Sequence, residues 1–358
     1  MTLGVGSSAP AVTFSSDDRL IVSGSADKLV RVWDASTGEM LKMLEGHTDY
    51  VTSVAFSNDD SCIISGSGDK SVRVWDASTG EMLKVLEGHI DYVTSVAFSS
   101  DDSRILSGSD DKSVRVWDAS TGEMLKMLKG HTDYVTSVAF SSDDSRILSG
   151  SGDKSVRVWD ASTGETLKVL EGHTGHVLSV AFSSDDSCIV SGSEDKSVQV
   201  WDASTGKTLK VLEGHTDYLR SVAFSSDDSR IVSGSKDKPV RVWDASTSEM
   251  LTVLEGHSEP AAFPVNGICA AADSNDKSMP TQWTSLRYIR QKTVNSSGYS
   301  RHTGWLLSPQ GEHYLMFVPF MAQLPDSSNI LTLPQSHAAS VDFTSSALGL
   351  EWCNCFSS

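Results

Sequence analysis

A strict 42-residue period governs this sequence. Trp-Asp pairs stand at Trp33-Asp34, Trp75-Asp76, Trp117-Asp118, Trp159-Asp160, Trp201-Asp202 and Trp243-Asp244, each 42 residues after the last. Gly-His pairs keep the same step from Gly46-His47 to Gly256-His257. A period of this size means that each unit is one supersecondary module, which buries its faces against its neighbours. The unit that starts at Gly130 reads GHTDYVTSVAFSSDDSRILSGSGDKSVRVWDASTGETLKVLE. It holds four short β-rich runs, VTSVAFS, RILSGS, SVRVWD and TLKVLE, parted by the turn signals SSDDS, GDK and ASTGE. Four strands per unit, repeated, predict an all-β chain built as a β-propeller.

The formal charge of −18 is largely a property of the repeat, since the Gly130 unit alone carries seven acids against four basic residues. An acidic balance argues against non-specific nucleic-acid binding, which needs a basic face. No apolar run reaches the length of a membrane span, and the start, MTLGVGSSAP, lacks the basic and apolar regions of a secretory signal. The five cysteines are odd in number and irregularly spaced, which suits reduced thiols. The expectation is therefore a cytoplasmic protein with no membrane partner.

With GH, SGSxDK and WD at fixed offsets, residues 4 to 256 closely resemble the WD-repeat family. The resemblance implies a buried hydrogen-bonded tetrad in each blade. Carried over, the sets are His47/Ser65/Asp69/Trp75, His89/Ser107/Asp111/Trp117, His131/Ser149/Asp153/Trp159, His173/Ser191/Asp195/Trp201 and His215/Ser233/Asp237/Trp243. The logic also stands on chemistry: buried imidazole, hydroxyl, carboxylate and indole groups need partners, and such a chain supplies them. Five copies at one spacing, each tied to a Trp, read as structural fasteners rather than as hydrolase triads or metal sites. No catalytic residue, metal or cofactor is expected. GSGDKS at 66–71 and 150–155 resembles a phosphate loop, but an Asp intervenes before the Lys and a strand follows.

The ends are irregular. Residues 1–255 read as repeats, a degenerate first one and then five regular units. In the first, Val5 stands where His belongs, leaving Ser23, Asp27 and Trp33 without a bridge. Residues 256–345 read as a diverged closing blade with an insertion near 285–302, and 346–358 as a C-terminal tail. Seven blades are expected, or eight if the tail forms a further sheet. The segments GWLLSPQGEHYLMFVPF, LPDSSNILTLP and SVDFTSSALGLEWCNC, beside near-identical repeats, resemble the C-terminal region of fungal NACHT–WD-repeat proteins of the vegetative-incompatibility type. That resemblance implies a sensor propeller, whose nucleotide-binding domain would lie outside this chain.

The units differ at only a few places. The resemblance puts these on the narrower top face. Immediately before the Ser-Val of the first strand stand Thr52, Thr94, Thr136, Leu178 and Arg220. Two residues earlier stand Tyr50, Tyr92, Tyr134, His176 and Tyr218, and just before the turn Asp stand Ala26, Gly68, Asp110, Gly152, Glu194 and Lys236. Packing residues should repeat, whereas residues that read an asymmetric ligand should differ by blade, and Tyr and Arg are frequent interface anchors. The candidate partner surface is therefore Tyr50, Thr52, Tyr92, Asp110, Tyr134, His176, Leu178, Glu194, Tyr218, Arg220 and Lys236, weighed against neutral drift at exposed positions. The Arg two residues before each Trp, such as Arg157, is expected near the same rim, paired with an acid. The SSDD acids, such as Asp59-Asp60, are expected on the opposite face as solvated turn formers. The function expected is a non-catalytic sensor or recognition propeller that binds a protein partner. The alternative is a general scaffold, such as a ubiquitin-ligase substrate receptor or signalling adaptor, and an enzyme is the less favoured third reading.

Overall fold

The computed structural model describes residues 11–254, together with the strand backbones at 264–265, 268–269, 305–307 and 314–317. The chain divides into two compact units, 1–321 and 322–358, and every described residue lies in the first. Within it the period becomes six four-stranded antiparallel sheets, each in simple sequence order. The fourth sheet is typical: Val135–Phe140, Arg146–Ser151, Val156–Asp160 and Thr166–Leu170. SSDDS, GDK and ASTGE form the connecting turns, and the Asp and Lys that close the first two adopt positive φ, as at Asp144 (58°) and Lys154 (72°).

Strand pattern explains layer order. The first strand of each sheet is nearly all buried and packs on the first strand of the next sheet, while the fourth faces outward with only its final Leu buried. Between sheets, the Trp and Ile of one blade meet the Val, Leu and Ala residues of the one before. Trp159 and Ile147, for example, share a core with Leu106, Val114 and Leu128. Burying an aromatic or branched side chain contributes roughly 1.5–3 kcal/mol, so these junctions dominate the stability of the array. Such sheets, face to face in chain order, are the blades of a β-propeller.

Hydroxyl and carboxylate groups stitch the same junctions. Ser53, Ser95, Ser137 and Ser179 each accept the amide of the next blade's inner-strand Val, Val96 in the first case. The second Asp of SSDD also reaches across: Asp144 Oδ1 accepts the amide of Ser100 at 2.8 Å, and Asp60, Asp102, Asp186 and Asp228 do the same for Ser16, Asn58, Ser142 and Ser184. The expectation of merely solvated turn formers is corrected for these five. The first Asp of each pair does cap its own turn, as Asp143 does through Ser141 and Ser145. A turn with the second Asp in the left-handed region turns that carboxylate towards the neighbouring blade, which local sequence does not disclose.

At the N-terminal end the first sheet, whose unit lacks the His, has all four strands: Ala11–Phe14, Leu20–Gly24, Val30–Asp34 and Met40–Leu44. The seventh blade at 256–345, its insertion near 285–302 and the 346–358 tail lie outside the described residues. Two short antiparallel pairs, Pro264–Val265 with Ile268–Cys269 and Trp305–Leu307 with Tyr314–Phe317, are described there.

Candidate functional site

In five blades the Trp, Ser, His and Asp form one continuous chain. In the fourth, Trp159 Nε1 donates to Ser149 Oγ at 2.8 Å, Ser149 Oγ meets His131 Nε2 at 2.7 Å, and His131 Nδ1 meets Asp153 Oδ2 at 2.8 Å. The same links join His47, Ser65, Asp69 and Trp75, and His89, Ser107, Asp111 and Trp117. They recur in His173, Ser191, Asp195 and Trp201 and in His215, Ser233, Asp237 and Trp243. One proton assignment satisfies every group: the hydroxyl accepts the indole N–H and donates to Nε2, leaving Nδ1–H for the carboxylate. Burial depresses His89 and His215 against the pull of their Asp partners, so those imidazoles are neutral at pH 7. Burial raises the Asp153 carboxyl, but hydrogen bonds from His131, Ser155 and the Thr132 amide outweigh it and hold it well below the usual carboxylate range.

The connectivity copies a serine hydrolase triad, but the accessibility does not. All five Ser hydroxyls belong to residues that are 0% exposed, and each already accepts an indole N–H. A substrate carbonyl has no route to them. Among the described residues, no His, Cys, Asp and Glu grouping could hold a metal ion.

Arg pairing, where it occurs, falls on the tetrad Asp itself: Arg73 and Arg115 lie 3.8 Å from Asp69 and Asp111, and Arg241 lies 2.8 Å from Asp237. Arg157 forms no such ion pair and lies over the Trp159 ring at 5.7 Å, and the fifth unit has Gln199 instead. In the first blade, whose unit lacks the His, the guanidinium supplies the contact to the Asp. Arg31 grips Asp27 through Nη1 (3.1 Å) and Nη2 (2.6 Å), and Trp33 still donates to Ser23. A bidentate guanidinium is a strong substitute for one imidazole contact.

The loop after Gly-His and the SGSxDK turn lie together on one face, joined by backbone bonds such as Gly68 N to Tyr50 O and Asp110 N to Tyr92 O. The candidate residues there divide into two groups. Tyr50, Tyr92 and Tyr218 are 43%, 45% and 42% exposed, and Lys236 sits over the Tyr218 ring at 6.0 Å. Leu178 and Arg220 are half-buried. Tyr134, by contrast, is half-buried and leans over Gly152; its hydroxyl meets His176 Nδ1 in the next blade, and that nitrogen lies 3.2 Å from Glu194 Oε2. Burial, with Glu194, Asp133 and Asp110 nearby, pushes the Tyr134 phenol up to about 12. The hydroxyl of Thr52 bonds the carbonyls of Gly66 and Val93, and Thr94 and Thr136 bond their equivalents, so these hydroxyls clamp blade to blade. The sequence shows Thr52 beside the Tyr but not the carbonyl above it, which belongs to the next unit.

Asp110 is the one acid on this face whose carboxyl is raised, to about 6, by burial and by Asp91, Asp133 and Asp111 around it. Its folded form takes up a proton more readily than the unfolded chain. It thus favours folding fully below the ordinary Asp range and loses that contribution as pH rises through about 6. Asp110→Asn should therefore gain about 1 kcal/mol over the parent at pH 8, after allowing for partial solvent screening, and almost nothing at pH 4. Urea unfolding at the two pH values checks this, and equal gains at both would refute the assignment.

A family model described as "WDR90, 4th beta-propeller" matches residues 50–181. A second, "WD domain, G-beta repeat", matches residues 6–34, 164–202 and 206–244. These are WD40 repeats. Matches to curated proteins span one WD40 unit each. One is to "Probable serine/threonine-protein kinase PkwA" of Thermomonospora curvata, 54% identical over 43 residues, or 12% of this chain and 6% of that protein. Another is to "Mitochondrial division protein 1" of Candida glabrata, 44% identical over 41 residues, again 12% and 6%. The aligned segment thus covers 6% of either relative's length. WD40 propellers are in general non-catalytic scaffolds that bind proteins, and neither matching family description names an enzyme. No helix among the described residues is long and apolar enough to cross a membrane.

Proposed function

We propose that this WD40 chain is a cytoplasmic recognition module that binds a protein partner on the face carrying Tyr50, Tyr92, Leu178, Tyr218, Arg220 and Lys236. One observation carries the reading. The tetrad and inter-blade residues repeat and are buried, whereas this face combines differences between blades, at Leu178, Arg220 and Lys236, with three tyrosines more than two-fifths exposed. Aromatic and Arg anchors beside a preformed rim are the usual makings of an interface. A sensor role of the NACHT–WD-repeat kind, drawn from the C-terminal segments, is the finer form of this proposal.

The general-scaffold reading draws on a different feature. The outermost strands leave Met82, Leu83, Leu167 and Leu209 roughly half exposed, which would suit docking along the circumference.

To separate the two, a partner captured by in-cell crosslinking to the full chain is tested against purified variants of unchanged circular dichroism. Tyr92→Ala and Arg220→Glu should each weaken binding tenfold or more, and Leu83→Ser should not. Binding that survives both loop-face changes and is lost with Leu83→Ser overturns the recognition-face reading.

A further inference from the structure

Position 90 breaks the repeat in a way that folding does not require. Where the other regular units carry Thr48, Thr132, Thr174 and Thr216, this one carries Ile90, which is 76% exposed. The backbone task there is the same in each case: the amide of Ile90 donates to Asp111 Oδ2 at 3.1 Å, as that of Thr132 does to Asp153 at 3.0 Å. The isoleucine side chain therefore adds nothing to the fastener. Its loop is already fixed, because Lys70 Nζ of the preceding blade donates to the Ile90 carbonyl at 2.8 Å. Tyr92 stands two residues on, and Tyr50 follows on the second blade through the Gly68 amide. Ile90, Tyr92 and Tyr50 are thus exposed apolar or aromatic side chains in two successive loops of a preorganised rim.

Acids outnumber cations around these loops. Asp49, Asp91 and Asp133 sit in the three successive loops, each accepting the amide of the following Tyr, and Asp110 sits in the turn between the last two loops. The ammonium groups of Lys70 and Lys112 donate to the carbonyls of Ile90 and Thr132 and keep their charge, so the acids are only partly offset. Burial, and after it the neighbouring acids, raise the Asp110 carboxyl.

From this juxtaposition we infer that the second and third blades form a docking site for a short basic segment of a partner protein. One aliphatic or aromatic side chain of that segment seats on Ile90 between Tyr50 and Tyr92, and flanking lysines or arginines face Asp91, Asp110 and Asp133. This rests on the loop-face reading above and narrows it to one sector and one partner chemistry. Apolar contact supplies the anchor, and charge complementarity supplies selectivity and on-rate.

Fluorescence anisotropy with the full chain tests it. The labelled probe is the heptapeptide GKRLKRG; its controls are GKRSKRG, without the apolar anchor, and GEELEEG, with reversed charge. The expected result is that GKRLKRG binds, that raising salt from ~0.05 to ~0.5 M weakens it, and that Ile90→Thr, which restores the residue of the other units, weakens it roughly tenfold. GKRSKRG should bind about tenfold more weakly and lose nothing further in Ile90→Thr. The inference is overturned if GKRLKRG fails to bind, if the leucine and serine probes bind alike, if GEELEEG binds as well, or if Ile90→Thr has no effect. A captured partner that is released by Arg220→Glu but held by Ile90→Thr would overturn this site while leaving the loop-face reading in place.

Discussion

Asp153→Ala lowers the melting temperature by roughly 6–12 °C, at a cost of about 3 kcal/mol. The carboxylate binds His131 Nδ1, the Ser155 hydroxyl, and the amides of Ser155 and Thr132, and its side chain is only 8% exposed. Alanine leaves these donors without their acceptor, and a buried donor without a partner costs more than its bond contributed. Because the carboxyl is held low in the folded state, the loss is fully present above the ordinary Asp range and shrinks as pH falls below it, where the parent also gives up the contribution. The change acts on one blade's fastener, so binding on the loop face should fall only with the folded fraction. Differential scanning calorimetry at pH 7, with Glu165→Ala as an exposed control, is the check. A melting temperature within 1–2 °C of the parent, which is the range of an ordinary surface change, would remove the structural role.

Gly150→Val costs about 3 kcal/mol or more, because the position is a junction rather than a turn. A Cβ placed there would stand 2.8 Å from Val177 Cγ1 and 2.9 Å from Val180 Cγ1, both on the next blade's inner strand. Gly66 and Gly108 meet Val93/Val96 and Val135/Val138 in the same way. A branched side chain has no room there, and overpacking of a dense junction forces the two sheets apart. The mechanism can be told from a general backbone effect by rescue. Adding Val180→Ala to Gly150→Ala should restore more than the sum of the separate changes allows, a coupling of about 1 kcal/mol. Strict additivity would show that the two residues do not compete for the same space.

Much of this was legible from the sequence, for a specific reason. The 42-residue step tied Trp159 to Ser149, His131 and Asp153, and a buried imidazole and indole leave few alternatives for their partners. Strand layout followed from the runs between SSDDS, GDK and ASTGE. What escaped notice lies between units. Asp144 bonds an amide 44 residues away, Thr136 a carbonyl 41 residues away, and Tyr134 an imidazole 42 residues away. A pattern read inside one unit cannot show which groups a neighbour brings within reach. Tyr134 and Tyr92 hold the same place in the repeat. Gly152 of its own blade and His176 of the next hold Tyr134 half-buried, whereas Tyr92, with Asp110 in place of that Gly, stays exposed. In the first blade, the absent His left Asp27 without its imidazole, and the structure adds what the repeat did not show, a bidentate grip on that Asp by Arg31. Ile90 was different: its departure from Thr was visible in the aligned units, and only its exposure gave it meaning.

The bridging aspartates have a wider consequence. Each Asp60-type carboxylate accepts from the module before it at one constant offset, and every internal module both offers and receives that bridge. As far as this bridge goes, any interior module fits beside any other. A duplication or exchange in steps of 42 residues would keep these carboxylate joints intact while rewriting what the loops display.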